Sequence, residues 1–295
     1  MLPVASKILA TVLLLRLCKT REGLIREEQT AFRSGRGCID HAFTLRQLLE
    51  HRHMYYRPTI VVFLDIRAAF DSLDRTALWN CLLERGVPEK FVNILKALYR
   101  DTSGRVRAYN QLSSLFPTKS GVRQDCPTSP FLFNFAIDDI LESALKDVRG
   151  DGGSGGVDLL PGERLFDLEY ADDIVLLCDS IQAAQITLNQ LAISVCKYGM
   201  CFAPSKCKVL LQDWQEPVPV LTLAGEPLEV VGSFVYLRSC VSAGGGVTEE
   251  ISNRIVKARV AYADLSHLWH RRNVSQMAVK GRVYNASVLC VALRL

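Results

Sequence analysis

Thr59-Ile-Val-Val-Phe-Leu-Asp65-Ile-Arg-Ala-Ala-Phe70-Asp71 is the stretch on which the fold turns. Its unbroken apolar run, Ile60 to Leu64, predicts a strand buried on both faces and ending at an acid. A carboxylate in that position is costly unless something pairs with it. A second stretch, Leu165-Phe-Asp-Leu-Glu-Tyr170-Ala-Asp172-Asp173-Ile-Val-Leu-Leu177, reads as two strands around a tight turn that carries adjacent acids. Adjacent carboxylates repel, so a site that keeps both ionised places a cation between them and a third acid, and Mg²⁺ prefers such oxygen ligands. Taken singly, each segment has an ordinary reading too: Asp65 as a helix cap, Asp172-Asp173 as a polar hairpin turn.

Outward from these segments, apolar spacing predicts helices near 4–18, 38–57, 73–85, 88–99, 130–146 and 180–199. Strands are expected at 60–66, as a pair between 104 and 119, and at 164–170, 174–178, 206–212, 220–231 and 234–241. Gly150-Asp-Gly-Gly-Ser-Gly-Gly156 reads as an inserted loop. From Thr248 the tail reads as two helices. Thr248 is the expected cap, with Glu249 and Glu250 in the first turn, and Ile251, Ile255, Ala258, Tyr262, Leu265 and Trp269 form an apolar stripe.

With 295 residues, 49% of them apolar, and a net charge of only +4, the chain is no disordered protein. The apolar run Ile8–Leu15 is too short to span a bilayer, and Arg16, Lys19 and Arg21 follow it where a signal peptide would have small residues. The ten cysteines are scattered without a CxxC pair, which reads as reduced intracellular thiols. His267 and His270, with Cys196, Cys201 and Cys207, make no zinc framework, and no zinc is expected. Residues 16–57 carry nine basic and five acidic side chains, and residues 249–295 eight and three. Two basic flanks around a neutral centre suit a polyanion, although charge alone is equally met by solvated helix faces.

Phe63-Leu-Asp65 with Ala69-Phe70-Asp71, Gly121-Val-Arg-Gln124 with Cys126-Pro127 and Ser129-Pro-Phe-Leu-Phe-Asn134, and Tyr170-Ala-Asp-Asp173 follow one another in this order. Together they resemble the reverse transcriptases of non-LTR (LINE-type) retrotransposons. Gln29-Thr-Ala-Phe-Arg33-Ser-Gly-Arg36 with Asp40 and Phe43-Thr-Leu-Arg46 is similar to that family's fingers motif, and Ala203-Pro-Ser-Lys206-Cys-Lys208 and Phe234-Val-Tyr-Leu237 to its later palm motifs. The resemblance covers roughly residues 4–290.

It implies an α+β right-hand polymerase: a fingers-like region over 1–58, a palm with an antiparallel sheet over 59–241 that contains interleaved fingers segments and a Gly-rich loop at 147–163, and the start of a truncated thumb over 242–295. The implied function is RNA-directed DNA polymerase, with an RNA template, a DNA primer, dNTP and two Mg²⁺ ions, acting in the nucleus and detached from further domains of a longer polyprotein. Asp65, Asp172 and Asp173 are the implied catalytic and metal-binding acids. Arg33, Phe70, Gln124 and Lys206 are the implied nucleotide-binding residues, with Arg36 beside Arg33. Phe70 stands at the family's aromatic gate against a ribose 2′-hydroxyl; on its own, a phenylalanine there reads as core. The chain departs from the pattern at Asp125 and Arg238, where the family has glycine, and at Ala31, where glycine is common. Those departures raise a rival, a catalytically inactive, decayed nucleic-acid-binding remnant; a polymerase that uses an RNA primer and ribonucleotides is a second rival, which Phe70 opposes.

Overall fold

The computed structural model describes residues 3–21, 25–33, 35–149, 155–160, 163–215, 217–269 and 277–293. The expectations for Gly150–Ser154 and for Arg271, Arg272, His270 and Arg294 fall outside these residues.

A five-stranded sheet occupies the centre. Its strands are β1 (Thr59–Asp65), β2 (Asp167–Tyr170), β3 (Asp173–Cys178), β4 (Lys208–Gln212) and β5 (Glu229–Val231), in the spatial order β5-β4-β1-β3-β2. All pairings are antiparallel except β4 with β5. The apolar run of β1 lies at the middle because both of its faces are covered. Ile60, Val62 and Leu64 pack on one side with Ile174, Leu176 and Val209, and Val61 and Phe63 on the other with Val175, Leu177 and Leu210.

Helices α4 (Arg75–Glu84), α5 (Glu89–Tyr99), α6 (Ser129–Arg149) and α7 (Ile181–Lys197) fill the first side. Two earlier helices precede them, α1 (Val4–Arg21) and α2 (Cys38–Met54), together with the short α3 (Ala69–Ser72). The second side is closed by Leu45, Leu48 and Leu49 of α2 and by Tyr236 and Val241 of a hairpin, β6 (Ser233–Tyr236) with β7 (Ser239–Ser242).

Several sequence expectations give way locally. The strand expected over 220–231 breaks into a short hairpin, Thr222–Leu223 against Glu226–Pro227, before β5, because Ala224 and Gly225 both take positive φ (52° and 86°). The pair between 104 and 119 is reduced to two nested two-residue pairings. The tail helix α8 (Thr248–Asp264) starts where expected, but Val247 is its N-cap and no side chain caps it. Its expected core stripe is not buried: Ile251 and Ile255 are exposed, and Glu250 is the residue that turns inward, accepting from the Cys240 N–H at 2.6 Å and pairing with Arg254.

A buried ion cluster ties the N-terminal region to the palm. Arg26 reaches Asp138 of α6 (3.0 Å) and Asp167 of β2 (3.2 Å), and also pairs with Glu169. Arg149 shares Asp167 at 2.7 Å and Arg85 shares Asp138 at 3.1 Å. Breaking a buried pair from one side leaves an uncompensated charge, which costs about 3–5 kcal/mol. Arg26→Met is therefore expected to lower unfolding stability by about that amount in urea titrations, whereas Arg57→Met, on an exposed pair with Asp158, changes it by about 1 kcal/mol or less.

Candidate active site

The two sequence segments that carry the acids meet in the sheet. β1 and β3 pair with Asp65 directly opposite Asp173, in the same register that sets Phe63 opposite Val175. Side chains alternate between faces along a strand, so both acids share the face of Phe63 and Val175 rather than that of Leu64 and Ile174. Asp172 sits beside them in the two-residue turn between Tyr170 and Asp173. Ala171 carries that turn at φ 57°, the positive value a II′-type hairpin needs at its first central position.

Asp65, Asp173 and Lys206 line a cleft of ≈ 350 Å³ with Phe63, Leu64, Ile174, Phe234 and Tyr236. Like charges directly opposite across strands repel. Asp173 shows the effect: it keeps an open side toward the cleft, yet packing beneath it and the charges of Asp172 and Asp65 push its carboxyl up to about 6. Asp65 has partial relief, since the Lys206 ammonium stands 3.3 Å from one of its oxygens. The loop bearing Lys206 is fastened to the end of β1 by the Ala203 N–H donating to the Asp65 carbonyl at 2.9 Å.

Asp65 and Asp173 at the end of the β1–β3 ladder, with Asp172 next in the turn, are hard oxygen donors short of positive charge, the donor chemistry that suits a divalent cation such as Mg²⁺. Among the described residues no group of three or more His, Cys, Asp or Glu side chains stands close enough together to hold a metal ion as the side chains lie.

The remaining candidates are distributed around this edge. Phe70 is half-buried at the start of α3 and stacks on Phe133 with ring centroids 4.6 Å apart, so a core contact and partial exposure coexist in one residue. Gln124 is exposed and its amide reaches Asp71 at 3.4 Å. Arg33 donates to the carbonyls of Arg26 (2.9 Å) and Gln29 (3.1 Å), which makes it a brace of its own loop, whereas Arg36 is exposed. The Asp40 carboxylate accepts from the Gly37 N–H at 2.8 Å while the Asp40 N–H donates to the Gly37 carbonyl at 3.1 Å, and this reciprocal pair starts α2.

Asp125 and Arg238, the two departures from glycine, both take positive φ (62° and 70°). Leu237 joins Arg238 at φ 46°, so the β6–β7 turn has the two positive central residues of a type I′ turn without its usual Asn-Gly. Ala31 has another reason to be small: it is fully buried, and its carbonyl accepts from the Asn134 amide at 2.7 Å.

Sequence reading assigned no role to Gln29, which is wholly buried. Its Oε1 accepts from the N–H of Ala171 in the acidic turn (3.3 Å) and of Ala31 (3.2 Å), while its Nε2 donates to Glu169 at 3.0 Å. A glutamine inside a polar loop carries no local mark of burial; only its place in the fingers-like motif pointed there.

An antiparallel-dominated sheet packed with helices, with acids at the shared end of two of its inner strands, is the architecture of the palm of a right-hand polymerase. Residues 1–228 match the family model described as reverse transcriptase (RNA-dependent DNA polymerase). Among curated proteins, the chain is 27% identical over 188 residues to a Pol polyprotein of the type-1 retrotransposable element R2 of Nasonia vitripennis, covering 64% of this chain and 18% of that protein. It is 26% identical over 179 residues to the R2DM polyprotein of Drosophila melanogaster, covering 61% and 16%. In fold it is similar to telomerase from Candida tropicalis (TM-score 0.53, 12% identity, 79% of this chain and 45% of that one) and from Candida albicans (TM-score 0.52, 12% identity, 86% and 42%). The chain belongs to the reverse transcriptase family, in its non-LTR retrotransposon branch. It spans about a fifth of the length of those two R2 polyproteins or less.

The raised Asp173 carboxyl has a measurable consequence. The native state holds that proton more tightly than the unfolded chain, so the group's contribution to stability is complete below the ordinary value of 3.8 and is lost as pH rises through about 6. In metal-free buffer, Asp173→Asn is expected to melt at a higher temperature than the wild type above pH 6, and the difference to close below pH 4. Thermal melts across that range check it.

Proposed function

We propose that this chain catalyses RNA-templated DNA synthesis, adding deoxynucleotides to a primer 3′ end. The observation that carries the proposal is the register that sets Asp65 opposite Asp173 on the cleft side of the sheet, with Asp172 next to Asp173 in the turn. These three acids would hold two Mg²⁺ ions; ions so held lower the pKa of the primer 3′-hydroxyl and neutralise charge on the triphosphate and leaving pyrophosphate. By family resemblance Asp65 and Asp172 would be the direct ligands, with Asp173 adding to the negative field.

Lys206, already over Asp65, is placed to meet the departing phosphates, where an ammonium can neutralise charge or give up a proton. The Phe70 ring occupies the space a ribose 2′-hydroxyl needs and so favours deoxynucleotides. Gln124, beside Asp71, can both donate to and accept from a nucleotide or template. Arg36 offers an exposed guanidinium for the triphosphate, and Arg33 serves by holding that loop in shape. The basic side chains of α8, Arg254, Lys257 and Arg259, suit sequence-independent contacts to duplex phosphates.

A second reading, an inactive nucleic-acid-binding remnant, rests on Asp125 and Arg238, because side chains at positive φ are strained where glycine is not. Extension of a primed RNA template with Mg²⁺ separates the two. The polymerase reading expects dNTP-dependent extension by the wild type and a loss of about 10²–10³-fold in Asp172→Ala, equivalent to several kcal/mol of transition-state stabilisation. The remnant reading expects RNA binding without extension, with synthesis restored by Asp125→Gly.

A further inference from the structure

Phe70 is held by more than its stack on Phe133. Residues 118–122 run beside residues 70–73 as a strap. The Val122 N–H donates to the Phe70 carbonyl and the Gly121 N–H to the Leu73 carbonyl, both at 2.7 Å, and the Ser120 hydroxyl donates to the Asp71 carbonyl at 2.9 Å. The approach is so close that a Cβ on Gly121, which has φ 76°, would stand 2.6 Å from the Phe70 carbonyl oxygen and 2.7 Å from the Asp71 Cα. Movement of the strap is therefore movement of the Phe70 backbone.

Arg75, in the first turn of α4, gathers the strap from its other side. Its Nε donates to the Gly121 carbonyl at 2.9 Å and its Nη2 to the Ser120 carbonyl at 2.8 Å. Its Nη1 serves the Thr118 carbonyl at 3.0 Å and the Thr102 hydroxyl at 2.8 Å. The guanidinium lies 5.1 Å from the Tyr99 ring centroid, a distance at which the ring face attracts a cation. Only a planar fork with donors along two edges can serve the Thr118, Ser120 and Gly121 carbonyls at once; a lysine ammonium is a single point.

We propose that Arg75 is a positioning residue for sugar selection: by fastening residues 118–121 it fixes the Phe70 ring at the depth where it excludes a 2′-hydroxyl. This rests on the reading of Phe70 as a gate. Steric exclusion is steep in distance, and a misplacement of about 1 Å at a reacting site costs on the order of 10²-fold. A partial release of the strap is then worth about tenfold in discrimination.

The test compares wild type, Phe70→Ala, Arg75→Lys and the double variant. The readout is the ratio of kcat/KM for dTTP over UTP in single-nucleotide extension on a primed RNA template. Equilibrium binding of the two nucleotides to complexes with a 3′-deoxy primer gives the same ratio without turnover. Phe70→Ala is expected to relax the ratio, Arg75→Lys to lower it about tenfold, chiefly through better use of UTP, and the double variant to match Phe70→Ala alone, as coupled residues do. If Phe70→Ala relaxes the ratio while Arg75→Lys keeps the wild-type value, the role of Arg75 is overturned and the gate stands. If Phe70→Ala leaves the ratio unchanged, the gate falls and this inference with it. Should Arg75→Lys fail to fold by circular dichroism, Arg75→Gln, whose shorter planar amide can reach at most part of the strap, decides in its place: a lowered ratio supports the proposal and an unchanged one refutes it.

Discussion

Burial of β1 and β3 on both faces forces two carboxylates to face each other at the end of the ladder. Opposed like charges destabilise a sheet by a fraction of a kcal/mol up to about 1 kcal/mol. Fully burying one Val, Leu or Ile side chain contributes about 1.5–3 kcal/mol. The paired segments contain Ile60, Val61, Val62, Phe63 and Leu64 against Ile174, Val175, Leu176 and Leu177, all buried. The apolar ladder therefore holds the acids together against their own repulsion, and the raised carboxyl of Asp173 reflects its burial first and that repulsion second. A site that stores unbalanced negative charge in this way is ready for cations and for the phosphates they accompany.

The same edge is braced from the N-terminal region. Residues 28–30 add backbone bonds to β2, with the Thr30 N–H donating to the Glu169 carbonyl and the Glu169 N–H to the Glu28 carbonyl, each at 3.2 Å. Gln29 then reaches past the strand to hold the Ala171 N–H of the acidic turn. Arg26, Asp138, Asp167 and Glu169 anchor this arrangement from below. Buried charge is poor value as raw stability. What it provides here is a fixed relation between fingers-like loop, palm helix and acidic turn, because the charges are satisfied in one alignment only.

Backbone strain also touches the cleft, among twelve non-glycine residues at positive φ in the described chain. Ala171, Asp125, Leu237 and Arg238 all take positive φ, at the acidic turn, in the segment after Gln124 and at the hairpin that closes the cleft. Aspartate tolerates this region better than most residues because its short side chain bonds locally, whereas leucine and arginine have no such relief. Leu237 packs against the cluster beneath β1, so burial offsets the strain.

Much of this was legible in the chain itself. The apolar run before Asp65, the paired acids after Tyr170 and the 3.6-residue periodicity of the main helices depend on local chemistry, and each element formed within a few residues of its expected place. The order of the motifs carried the family. Tertiary structure alone decided which face the acids share, since strand register is a long-range choice that a one-residue slip would reverse. It also decided that Gln29 is buried, that Arg33 braces a loop, that the α8 stripe stays exposed and that Arg75 collects carbonyls from a strap more than forty residues downstream. Those facts depend on which distant backbone groups lack partners once the sheet has formed, and no stretch of sequence records that need.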